Sequence, residues 1–126
     1  MTTKDDDSDR RSRERFDVVW SVDCVTEETF LYATITNISE MGIFVQTIEP
    51  LPVGTKLLLR FSPEDPTLGE FELVGHVQWI NPARPSCPNP GMGVRFSQLT
   101  LADRERLVEV IRTIAYLPPE PAKLLN

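Results

Sequence analysis

Apolar residues recur at every second position from the first aromatic residue onward, with Phe16, Val18, Trp20, Val22 and Cys24 on one parity and Asp17, Ser21 and Asp23 on the other. A period of two places successive side chains on opposite faces of an extended chain, so this alternation predicts a strand with one buried face. Comparable runs follow at Thr29 to Asn37, Gly42 to Thr47, Thr55 to Phe61, Phe71 to Ile80 and Gly93 to Ser97, separated by turn formers such as Pro52 and Gly54. They predict roughly six antiparallel strands. No helical period intervenes between them, which leaves a β-sandwich or a small closed barrel. Closure also removes exposed sheet edges, and the barrel is the expected form.

The pattern changes beyond residue 80. Pro82, Pro85, Pro88 and Pro90 withhold backbone donors, so Asn81 to Pro90 reads as a loop. Leu101, Leu107, Ile111 and Ile114 then recur near helical spacing. Thr100 is placed to cap that helix, with Asp103 three residues on, and Pro118 and Pro119 end it. The expected organisation is an acidic tip over 1–9, an arm over 10–15, a barrel over 16–97, a helix over 100–117 and a loose tail over 118–126. The arm, barrel and helix form one domain over 10–117. The fold class is mainly all-β: a six-stranded antiparallel barrel with one C-terminal α-helix. Asp5, Asp6, Asp7 and Asp9 dominate the tip, which has too little apolar surface to offset the entropy of ordering and is expected to be disordered.

Composition narrows the function classes. A chain of 126 residues with 40% hydrophobic and 25% charged residues suits one soluble domain with a modest core. No apolar run approaches the ~20 residues that span a bilayer, and the start MTTKDDDSDRR lacks the apolar stretch of a secretory signal. A cytoplasmic location without membrane insertion is expected. The net charge of −6 repels DNA, RNA and anionic lipid, so any anion site must be local. Cys24 and Cys87 form no CxxC and stand without a histidine pattern; both are expected to be reduced packing residues, with no metal site. His76 is the one histidine. There is no nucleophile elbow and no glycine-rich phosphate loop, so the expectation is no catalytic residue and no enzyme activity.

Two segments carry candidate chemistry. Arg10, Arg11, Arg13 and Arg15 fall within RRSRER, directly after the acidic tip and before the first strand. Planar guanidinium donors match phosphate oxygens, so the arm suits a phosphodiester grip; a solubilising tether accounts for the same residues. The second segment is NISEMG, Asn37 to Gly42, between two strand runs. Asn37 and Ser39 can hold a turn through local hydrogen bonds, and Gly42 permits positive φ or close backbone approach.

Taken in order, RxxxR at Arg11 and Arg15 followed by NxSxxG at Asn37, Ser39 and Gly42 resembles the PilZ domain, with Asn37 where aspartate is commoner. The resemblance continues through LPVGTKLLLRF, GHVQWI and GMGVRF, from about Arg10 to Leu117, and is strongest to stand-alone members. It implies a six-stranded barrel with a C-terminal helix that binds cyclic di-GMP on its outer surface. Arg11 and Arg15 would contact phosphates and guanines, Asn37 and Ser39 would hydrogen-bond the guanine and phosphate region, and Gly42 would keep the surface open. Arg10 precedes RxxxR, a position that influences ligand number in the family, and so implies two stacked molecules. The implied output is an altered contact with an unidentified signalling or motility protein. Met41 departs from the pattern, standing where many binding members have glycine; it either crowds the ligand or packs into the barrel end. Trp79 shares parity with Phe71, Leu73 and Val77 and is expected in core or rim packing. The alternative is a PilZ-fold adaptor that binds no nucleotide and acts through protein contacts alone.

Overall fold

In the computed structural model the described residues are 14–63 and 69–115. The acidic tip, Arg10, Arg11, Arg13 and the C-terminal tail lie outside them. Six strands follow in order: β1 Phe16–Val25, β2 Phe30–Ile38, β3 Gly42–Gln46, β4 Lys56–Phe61, β5 Phe71–Asn81 and β6 Gly91–Ser97. One helix, α1, spans Leu101–Ala115. Every pairing is antiparallel, and the strands close in the order β1-β2-β3-β6-β5-β4. The barrel expected from the alternation is therefore the fold, and the sandwich is excluded.

Strand parity explains what fills the interior. Trp20, Val22 and Cys24 of β1, Leu57, Leu59 and Phe61 of β4, and Phe71, Leu73 and Val77 of β5 are all buried. Trp20 stacks on Phe61 with centroids 6.1 Å apart, and Phe61 stacks on Phe71 at 5.3 Å. The guanidinium of Arg106 on α1 lies 4.0 Å from the centre of the Phe71 ring and also donates to the Glu70 carbonyl at 2.9 Å. Guanidinium over an aromatic face is an attractive geometry, and here it docks the helix on the end of the aromatic column. Leu107, Val110 and Ile111 bury beside it. The helix begins where the cap predicts, since the Asp103 amide donates to Thr100 Oγ1 at 3.0 Å. Among the described residues no helix is long and apolar enough to cross a membrane.

The last turn of β5 departs from simple alternation. Val77 pairs with Val94 and Trp79 pairs with Gly93, so β5 advances two residues while β6 advances one. Gln78 is the extra residue of a β-bulge, which re-aims the side chains that follow it. Trp79 consequently points outward, 48% exposed, so of the two expected places, core or rim, it stays out of the core. Its indole stacks on Phe44 of β3, with centroids 5.4 Å apart.

The cysteines separate. Cys24 is fully buried, whereas Cys87 is half-buried in the proline-rich loop, and both are free thiols. Burial, aided by the negative charge of Asp23, pushes the Cys24 thiol from 9.0 up to about 12. A thiol whose pKa is raised by folding stabilises the native state fully below its unfolded value, and that contribution is lost as pH climbs from about 9 toward 12. The slope is at most about 1.4 kcal/mol per pH unit. Urea unfolding across this range is expected to show a steeper loss of stability for the wild type than for Cys24→Ala. Parallel slopes would show that Cys24 ionises normally.

Candidate functional site

The junction of β1, β2 and β3 is built from irregular pairing. β1 is bulged between Asp17 and Trp20, and β2 between Ile35 and Asn37. Phe16 pairs with Ile38 and Asp17 with Asn37, so the residue leading into β1 arrives beside the end of β2. Arg15 is that residue, and its Nε donates to Asn37 Oδ1 at 2.5 Å. Partial desolvation lowers the Arg15 pKa from its ordinary value, although the side chain keeps solvent access and stays charged at physiological pH. The Nε bond fixes the plane of the guanidinium, and no ion pair engages Arg15 among the described residues.

Ser39 and Gly42 have roles that the motif alone does not reveal. The Ser39 hydroxyl is 0% exposed; it accepts from the Met41 and Gly42 amides at 3.1 and 3.2 Å. The Ser39 amide donates to the Gly42 carbonyl at 2.9 Å, closing the turn. Ser39 thus holds the β2–β3 turn, buried behind the surface on which a guanine or phosphate contact is expected. Gly42 is buried against β6, where a Cβ would stand 2.1 Å from the Val94 carbonyl oxygen. Its first duty is close strand approach, and a flat outer surface follows from that.

Around this turn lies an open cleft of about 190 Å³ on the outer wall. Arg15, Met41 and Gly42 line one side; Trp79, Gly93 and Arg95 line the other. Met41 is half-buried and faces the cleft, so of its two expected fates it takes a place at the surface. Gly93 lies beneath the Trp79 indole, where a Cβ would stand 2.3 Å from the ring. Both charged residues lining the cleft are arginines. Two larger hollows on other walls mix their charges, with Asp23, Glu70 and Arg60 in one and Glu27, Glu28 and Lys56 in the other. Of these three clefts among the described residues, this one alone pairs positive charge with no carboxylate, which favours an anion. Among the described residues no cluster of side chains suits a metal ion.

Of the six expected site residues, Arg15 and Asn37 touch, Ser39 and Gly42 shape the turn beside them, and Arg10 and Arg11 lie outside the described residues. Trp79 and Arg95 were missed. The signal for Arg95 was present in GMGVRF, where Gly91, Gly93 and Arg95 share the parity opposite Met92, Val94 and Phe96. The signal for Trp79 was not, because a bulge leaves no mark in the pattern.

The described residues thus form a closed barrel with a helix on one end and a cleft on the outer wall whose charged lining is two arginines. Comparison with known families makes this more specific: the PilZ domain profile matches residues 9–113, and the chain belongs to the PilZ domain family. Among curated proteins none matches the sequence. Solved structures do. The Bacillus subtilis inhibitor of motility, MotI/DgrA, superposes with a TM-score of 0.65 at 26% identity, over 82% of this chain and 50% of that one. YcgR from Escherichia coli in complex with c-di-GMP gives 0.74 at 16% identity, over 93% and 51%. The K. pneumonia MrkH complex with c-di-GMP gives 0.70 at 15% identity, over 90% and 54%. The chain spans about half the length of these proteins.

The geometry predicts that Ser39→Ala strands two amides, one buried and one part-buried, and lowers stability by about 1 to 3 kcal/mol. Gly42→Ala is expected to cost at least as much, because the obstructing atom is backbone. Urea unfolding measures both; a loss below about 0.5 kcal/mol for Ser39→Ala would contradict its role in the turn.

Proposed function

We propose that this chain is a non-enzymatic cytoplasmic receptor for cyclic di-GMP that turns nucleotide binding into an altered contact with a signalling or motility protein. The observation that carries the reading is the Arg15–Asn37 hydrogen bond at the mouth of a cleft whose lining charges are both arginines. Asn37 orients Arg15 through Nε and leaves its terminal nitrogens for phosphate oxygens, the paired-donor geometry that guanidinium supplies best. Arg11 and Arg10 precede Arg15 by four and five positions in the sequence, and on this reading they add further guanidinium groups for the ligand. The exposed face of Trp79 offers a plane for a guanine. Ordering the arm on the ligand is the conformational change that a partner would read, and the entropy of ordering keeps the affinity reversible. The motility context draws support from MotI/DgrA, which is named as an inhibitor of motility.

Calorimetric titration with cyclic di-GMP at physiological salt is expected to give a dissociation constant on the order of micromolar, about −8 kcal/mol. Arg11→Ala and Arg15→Ala are each expected to weaken it by about tenfold or more, the loss of one charge-assisted contact. Heat unaffected by both substitutions would refute the assigned site.

Met41 supports a second reading, a nucleotide-free adaptor, because it lines the cleft where ligand would rest. In that case the wild type stays silent in the titration, and Met41→Gly gains binding.

A further inference from the structure

The cleft wall facing Arg15 carries a charge to which neither motif assigns a role. Arg95 points outward from β6 between buried Val94 and Phe96, pairing across to Gly42 on one side and His76 on the other. Gly42 has no side chain to cover it, and a bulkier residue there is barred by the Val94 carbonyl. Arg95 is exposed and, among the described residues, its guanidinium has no ion pair or hydrogen bond. Arg60, outward on β4, is by contrast held by Glu72 at 2.8 Å. A chain of net charge −6 has carboxylates to spare, yet none lines the cleft between Arg15 and Arg95. Like charges sharing one cleft repel, and a bound anion removes that repulsion.

We infer that Arg95 grips the second phosphate of a cyclic dinucleotide whose first phosphate is held on the Arg15 side. The inference rests on the receptor reading and deepens it. A cyclic dinucleotide carries two phosphodiesters on opposite sides of one ring, so a single cationic arm can neutralise only one of them. Arg95 supplies the other from the rigid wall of the barrel. Its backbone is paired on both sides, so its place on the wall does not depend on the ligand. The row continues past His76 to Lys56 on β4, which lies outside the cleft and serves as an internal control.

The test is calorimetric titration of the full chain with cyclic di-GMP at low and high salt, comparing wild type, Arg95→Gln, Arg95→Lys and Lys56→Gln, with melting temperatures recorded for each. Arg95→Gln is expected to weaken binding about tenfold and to flatten the dependence on salt by about one charge, at an unchanged melting temperature. Arg95→Lys is expected to restore the salt dependence but not the full affinity, and Lys56→Gln to match the wild type. Wild-type binding that Arg95→Gln leaves unaltered in affinity and salt dependence overturns the role of Arg95. So does an equal loss from Lys56→Gln, which would indicate a general field. A wild type that takes up no nucleotide overturns the receptor reading and this inference with it.

Discussion

Four cross-strand pairs join β1 to β4, from Val22 with Phe61 to Val25 with Leu58, and they turn a curved sheet into a closed tube. Both strands are thereby spared an unpaired edge, and their inward side chains face one another across the interior. That interior is full: Trp20, Phe61 and Phe71 form a stacked column, surrounded by the aliphatic residues of all six strands and closed at one end by α1. These side chains fill the interior, and the three clefts among the described residues open on the outer wall, where side chains of the opposite parity project.

The outer wall is shaped by the same close pairing. Where β3 runs against β6, the Val94 carbonyl leaves no space for a side chain at residue 42, and Gly93 leaves a slot into which Trp79 folds to reach Phe44. The bulge at Gln78 makes that folding possible by turning Trp79 out of the core. Two glycines and one extra residue thus produce a shallow floor with an aromatic plane beside it. Charge does the rest: the molecule is acidic as a whole, and the cleft is a local exception bounded by Arg15 and Arg95. In such a molecule the overall field discourages indiscriminate anion binding, and the two arginines give the cleft a local charge of the opposite sign.

Much of this was legible in the chain. Period-two alternation through β1, β4 and most of β5 marked the inward residues, because a half-buried strand has no other way to divide its side chains. Thr100, Asp103 and the spacing of Leu107 and Ile111 marked the helix, because the cap and the buried stripe are local properties. The ordered pair RxxxR and NxSxxG pointed to Arg15 and Asn37, which the fold brings into contact across 22 positions of sequence.

The strands, the helix, the family and the place of the cationic arm along the chain can be read from the residues alone, because each depends on near neighbours or on motifs with fixed spacing. Tertiary structure alone decided which face each side chain takes once pairing becomes irregular. The extra residue in β5 sent Trp79 outward against its parity, the turn claimed the Ser39 hydroxyl for its own amides, and the register of β6 placed Arg95 across the cleft from Arg15. These outcomes follow from which strand lies alongside which, and in what register. Such pairings link residues far apart in the chain, and no local pattern records them.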